Sequence, residues 1–218
     1  MPAPHDPAAV VDLLGLHAAI QLAAFTRFAK DAQHAPDLPG QVTISRIAAG
    51  ELAHLDQLER LSTELGADFY AATGAWAHLM GDLDRRTAPG DWSERLVKTY
   101  VAFGVFADLQ RELSADLGEE LGAVVADILA DNGYTDYVVA VLGPVIAAEP
   151  QLGARLALWG RRVVGEALGI AQRALEVRPQ LLTLLPADGA AGDGAGRVRH
   201  QLSAGHARRM ARLDGLTA

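Results

Sequence analysis

From Ile44 to Leu65, residues recur at spacings of three and four: Ile44, Ile47, Glu51, His54, Leu58, Leu61 and Leu65. Such a run is the inward stripe of one long amphipathic helix. Two of its central positions, one turn apart on the same face, are a carboxylate and an imidazole. Apolar packing has no use for either group, and burying one without a partner is costly. The chain must therefore fold so that other helices bring polar or metal partners to Glu51 and His54.

The rest of the sequence supplies those helices. The spacing predicts helices over residues 8–32, 42–65, 69–84, 91–117, 119–148 and 150–177, and no strand pattern emerges. Pro36 and Pro39, Gly66, and the Ala88-Pro89-Gly90 run mark breaks between them. Asp91 followed by Glu94 reads as a capping box. Asn132-Gly133 and Pro144 predict distortions in the fifth helix. Residues 186–196 read as a flexible linker, and 197–213 as a last, basic amphipathic helix. The expectation is an all-α four-helix bundle of two antiparallel hairpins with additional C-terminal helices. It divides into a bundle domain at 1–185, a linker at 186–196 and a basic helix at 197–218 packing on the bundle.

The chain has no cysteine, which excludes disulfides, thiolate zinc sites, iron–sulfur clusters and cysteine nucleophiles. No nucleotide or haem motif is read. Residues 1–7 lack the basic flank and apolar run of a signal peptide. Asp12, His17, Gln21 and Arg27 interrupt the apolar stretch 10–28, so no membrane span is expected and a cytoplasmic location follows.

Glu-x-x-His pointing inward from a long helix is how carboxylate-bridged di-iron bundles hold metal. Such a site adds a lone carboxylate from the preceding helix, and the second hairpin repeats the set. The candidate ligands here are Glu51 and His54, Gln21 thirty residues earlier, Asp131 in the fifth helix's apolar seam, and Tyr134 three residues on. Phe103 stands where a second lone acid is wanted; Asp108, the nearest acid, is about 7 Å further along the helix. Glu166 falls on the seam Leu152, Leu156, Trp159, Val163, Glu166, Ile170 and is expected to aim inward, or to pair with Arg162. His17, one turn before Gln21, reads as a hydrogen-bonded core histidine or a fallback ligand. Three arrangements stay open: a di-iron centre, a single iron held by Glu51, His54 and Asp131, and a metal-free polar network.

Several stretches resemble one family: VVDLLG with LAAF, FAKDA and AP (10–36), AAGELAHLDQL (48–58), TAPGDWSERLVKTYV (87–101), LALWGRRVVGEALGIAQR (156–173) and GHARRMARL (205–213). On these residues the chain resembles actinobacterial ferritin-like proteins related to the tRNA hydroxylase acting on 2-methylthio-N6-isopentenyladenosine. The resemblance implies a ferritin-like bundle and a di-iron oxygenase site. Carried over by position, the first Glu-x-x-His falls on Glu51 and His54 and its lone Glu on Gln21. The second pair falls on Asp131 and Tyr134, and the second lone acid near Phe103. Three of these positions depart from the family's ligands, so the expectation is a degenerate metal site without di-iron oxygenase activity. The alternatives are an iron-dependent hydroxylase of a modified tRNA adenosine or another apolar carbon, and a non-catalytic scaffold.

Charge is uneven. Residues 1–150 hold 9 Lys and Arg against 22 acids, whereas residues 151–218 hold 10 Arg against 5 acids. A basic C-terminal segment with Arg197, Arg199, His200, His206, Arg208, Arg209 and Arg212 could meet tRNA or another polyanion through phosphate contacts. It lacks the interleaved aromatics of a base-stacking surface. A homo-oligomer is equally compatible with the sequence.

Overall fold

The computed structural model describes residues 5–186 and 194–213. Among the described residues the protein is helical, with nine α-helices, one short 3-10 helix and no strand.

Capping residues decide where each helix begins. Asp6 accepts from the Ala8 N–H and Pro7 fills the first turn of α1 (Pro7–Gln33). Asp37 does the same for Gly40 at the start of α2 (Leu38–Glu64). Pro39 is tolerated in that first turn, so α2 starts four residues earlier than the apolar period suggests. The single helix expected over 69–84 is two, α3 (Phe69–Gly74) and α4 (Ala77–Arg86). The break lets Trp76 turn inward, 1% exposed, with its indole N–H donating to the Asp12 carbonyl. At α5 (Trp92–Leu113) the Asp91 carboxylate accepts from the Glu94 N–H, and the Glu94 carboxylate reaches back to the Gly90 N–H.

The expected fifth helix is interrupted as well. It consists of α6 (Glu119–Ile128) and α7 (Tyr134–Ala148), separated at Gly133, whose φ of 79° lies in the left-handed region. Only glycine adopts that backbone without strain. Past the break the buried seam of α7 is Tyr134, Val138, Leu142 and Ile146, rather than the Thr135, Val138, Leu142, Val145 register of an uninterrupted helix. Pro150 opens α8 (Pro150–Val177). The 3-10 helix (Pro179–Leu184) follows, then α9 (Gly194–Met210). Of the linker expected over 186–196, residues 194–196 belong to α9, and 187–193 lie outside the described residues.

Helices α1 and α2 form an antiparallel hairpin, and α5 faces α1 across the core. Helices α7 and α8 flank α5, α6 touches α2, and α9 lies across α5 and α8. Close crossings depend on glycine. A Cβ at Gly15 would run into the Ala72 carbonyl of α3, and one at Gly205 of α9 into Asp108 of α5. By length and composition α1 could cross a membrane, but 61% of its most apolar window is buried inside the protein, where it is the central helix of the core.

Candidate functional site

Five of the residues singled out above line one cavity of about 290 Å³: Gln21 of α1, Glu51 of α2, Phe103 of α5, and Asp131 and Tyr134 at the α6–α7 link. The hairpins thus meet at the height the spacing implies. What their side chains do there follows from the chain break.

Asn132 is the pivot. Its side-chain carbonyl accepts from the Tyr134 N–H at 3.0 Å, capping α7. Its amide N–H then donates to Glu51 Oε1 at 2.7 Å. The two bonds fix the amide orientation, because only the oxygen can accept and only the nitrogen can donate. Glu51 is 5% exposed, so this charge-assisted bond partners a carboxylate that water barely reaches.

His54 lies beside the same carboxylate, its Nδ1 3.8 Å from Glu51 Oε2. That exceeds a hydrogen bond, and Nδ1 is buried without another partner. The Glu51 carboxylate nevertheless holds the imidazole pKa above its ordinary value, with burial opposing and Asp127 assisting.

The remaining candidates point elsewhere. Asp131 is exposed in the link, and its Oδ1 accepts from the Gly133 N–H at 2.9 Å, a local turn rather than an inward seam position. The Tyr134 ring stacks 4.7 Å from Phe28 and its hydroxyl is buried without a hydrogen-bond partner. Burial, reinforced by the nearby Asp31 carboxylate, pushes this phenol well above its ordinary pKa, so the phenolate is disfavoured. Gln21 is buried and neutral. Phe103 packs against Phe28 and Phe106, with ring centroids 6.0 and 5.8 Å away. Asp108 turns toward α9, where it pairs with Arg209 at 2.6 Å, and it also pairs with Arg111 of its own helix at 3.0 Å. The inward aim read for Glu166 is corrected. The buried stripe of α8 is Leu156, Gly160, Val163, Ala167, Ile170 and Ala174, and Glu166 sits beside it, paired with Arg86 at 3.3 Å. Its expected partner Arg162 instead donates to the Arg86 carbonyl. Among the described residues no three His, Asp or Glu side chains converge in a way that could hold a metal ion.

Two further buried networks surround α1: His17 is the hydrogen-bonded core histidine the sequence suggests, and only the Asp31 cluster has no counterpart among the candidates above. His17 is fully buried, and the Gln110 amide donates to its Nδ1 at 2.6 Å. The ring proton therefore resides on Nε2 and is given to Ser114 Oγ at 3.1 Å. Desolvation lowers this imidazole's pKa to about 3, so it is neutral. Asp31, also fully buried, accepts from Thr99 Oγ1 at 2.7 Å and pairs with Arg95 at 3.1 Å and Arg27 at 3.8 Å. Burial raises its pKa while these partners pull it down. Arg27 and the buried Lys98 both reach Asp84 of α4, Lys98 at 2.8 Å. Asp31 sits one turn beyond Phe28 on α1's inner face, and an inward Asp with Arg four residues before it was a readable signal.

Arg209 of α9 and Arg212 just beyond its end line the Glu51 cavity, and Arg212 pairs with Asp136 at 2.6 Å. Arg199, His200 and Arg208 are exposed.

A comparison with curated proteins finds no match. A protein-family model described as the ferritin-like domain of actinomycetes matches residues 4–188, most of the chain, in keeping with a helical fold whose inward Glu51 and His54 lie on its second long helix. The chain belongs to that ferritin-like family.

Proposed function

We propose that this chain is a tRNA-hydroxylase-like branch of the ferritin-like fold in which the metal site has become a metal-free polar network, and that it acts as a non-catalytic scaffold. The observation carrying this reading is the 2.7 Å bond from Asn132 to Glu51 Oε1, because it gives the buried carboxylate a partner from within the protein that needs no metal. Two oxidisable iron ions require several anionic ligands to offset their charge. The cavity offers one buried carboxylate, the exposed Asp131, a neutral amide at Gln21, a phenol held protonated at Tyr134, and three arginines in its wall. This donor set does not fit a di-iron centre.

One observation favours a lesser arrangement. His54 Nδ1 is buried and unpartnered beside Glu51, so a single ion bridging the two is the second reading. Elemental analysis after anaerobic incubation with ferrous iron and desalting separates the readings. The network predicts essentially no retained iron, about one ion per chain supports the second reading, and two would refute both. Binding of a polyanion by α9 would rest mainly on Arg199, His200 and Arg208, since Arg209 and Arg212 are engaged by Asp108 and Asp136. Association with tRNA that weakens steeply with salt is the corresponding outcome to look for.

A further inference from the structure

Phe103 also lines a second, larger cavity of about 550 Å³, bounded by α1, α3, α4 and α5 with Leu55 of α2 at one wall. Its walls are mainly apolar, with Leu55, Phe69, Met80 and Phe106 among them. On α1 it extends from Ala19 to Arg27, about 12 Å of helix. Leu22 and Tyr70 line it and are 44% and 74% exposed, so it opens to solvent. A volume of this size lies within the roughly 300–1,000 Å³ typical of small-molecule sites.

Two polar features define the chemistry. Thr73 is 9% exposed, lines the cavity, and its hydroxyl is buried with no hydrogen-bond partner. A buried hydroxyl without a partner is costly, so a ligand that engages it gains what the free protein lacks. The charges in the wall are Arg27 and Asp84, and they are already paired with each other; Lys98 also reaches Asp84. A ligand cation would face Arg27 and a ligand anion would face Asp84, so neither sign finds an unmatched partner.

We infer that this cavity binds one elongated, uncharged, mostly hydrocarbon molecule whose single hydrogen-bonding group meets the Thr73 hydroxyl. The site uses residues other than Glu51, His54 and Asn132, so it stands or falls independently of metal content.

The test uses the full chain and the neutral fluorophore N-phenyl-1-naphthylamine, displaced by 1-decanol, decanoate or decylamine. Saturable binding at about one site per chain is expected, with decanol competing about tenfold better than either charged analogue because burying an unmatched charge is penalised. Ala23→Trp fills the cavity from α1 and should weaken dye binding at least about tenfold by steric exclusion. Gly81→Leu fills it from α4, where a Cβ meets nothing closer than Arg85 Nη1 at 3.9 Å, and it provides the same test should Ala23→Trp fail to fold. Thr73→Val should erase about three- to tenfold of the preference for decanol over decane, the worth of one hydrogen bond. Absence of saturable binding, undiminished binding in the folded filled variants, equal competition by decanoate or decylamine, or an unchanged decanol preference in Thr73→Val would overturn the assignment.

Discussion

His17 gives the sharpest quantitative expectation. It is fully buried and its pKa is lowered to about 3 by desolvation, against 6.5 for the free side chain. A group depressed in the folded state stabilises the fold fully above its unfolded pKa and loses that contribution as pH falls through 6.5 toward 3. Between pH 7.5 and 4.5 the unfolded chain takes up nearly one more proton at this residue than the folded chain, a loss of roughly 2–3 kcal/mol. At about 2–4 °C per kcal/mol for a chain of this length, that is on the order of 5–10 °C in Tm. Other groups titrate over the same range, so the contribution is isolated by comparison with His17→Gln. Urea unfolding at pH 7.5 should find the variant less stable by about 1–3 kcal/mol, since the Gln110 and Ser114 bonds are disturbed. At pH 4.5 the gap should shrink by roughly 2–3 kcal/mol or reverse, because the variant has no imidazole to protonate. A gap that stays constant between the two pH values, or a folded-state His17 titrating near 6.5 by NMR, would refute the buried neutral assignment.

Asp31→Ala should cost about 3–5 kcal/mol, because Arg95 and Thr99 lose their buried partner and Arg27 is left with Asp84 alone; a loss below about 1 kcal/mol in urea unfolding would contradict that. Gly205→Ala would push a Cβ into Asp108 and should destabilise the α5–α9 contact by about 1–3 kcal/mol, seen as faster proteolysis of the C-terminal helix; unchanged protection would count against the close crossing. Asn132→Asp replaces the donor to Glu51 with a second carboxylate, which should lower stability at neutral pH by about 1–3 kcal/mol. Manganese should restore Tm in that variant and leave the wild type unmoved; no manganese effect in the variant would refute the view that Asn132 is what turns the site from metal.

Much of the fold was legible because it rests on period and punctuation. The stripe of α2 is buried at Ile44, Ile47, Glu51 and Leu58, half-buried at His54 and Leu61, and gives out at Leu65, exposed past the helix end, and the capping box at Asp91 forms. The meeting of Gln21, Glu51, Phe103, Asp131 and Tyr134 around one cavity was also legible, because antiparallel helices convert sequence spacing into common height. What the period could not reveal was how a break redirects side chains. The sequence places Asn132-Gly133 as a distortion within a helix, yet α6 ends at Ile128 and α7 opens only after Gly133, its left-handed N-cap; the link between them leaves Asp131 exposed and sets Asn132 against Glu51. Glu166 was misplaced for a related reason: on α8 the seam includes Gly160 and Ala167, small residues that carry little weight in an apolar pattern, and ignoring them rotates the stripe by one residue. Apart from Arg27 on the same helix, the partners of Asp31 and His17 come from α5 and its C-cap Ser114, 64 to 97 residues away, beyond the reach of local periodicity.

The most direct measurement is NMR observation of the His54 ring nitrogens and the Asn132 side-chain amide during an anaerobic ferrous titration. If Asn132 holds the Glu51 carboxylate, both sets of signals remain in place and sharp through the first equivalents of iron. Joint broadening of both signals at substoichiometric iron would show metal displacing Asn132 from Glu51 and would contradict the metal-free network.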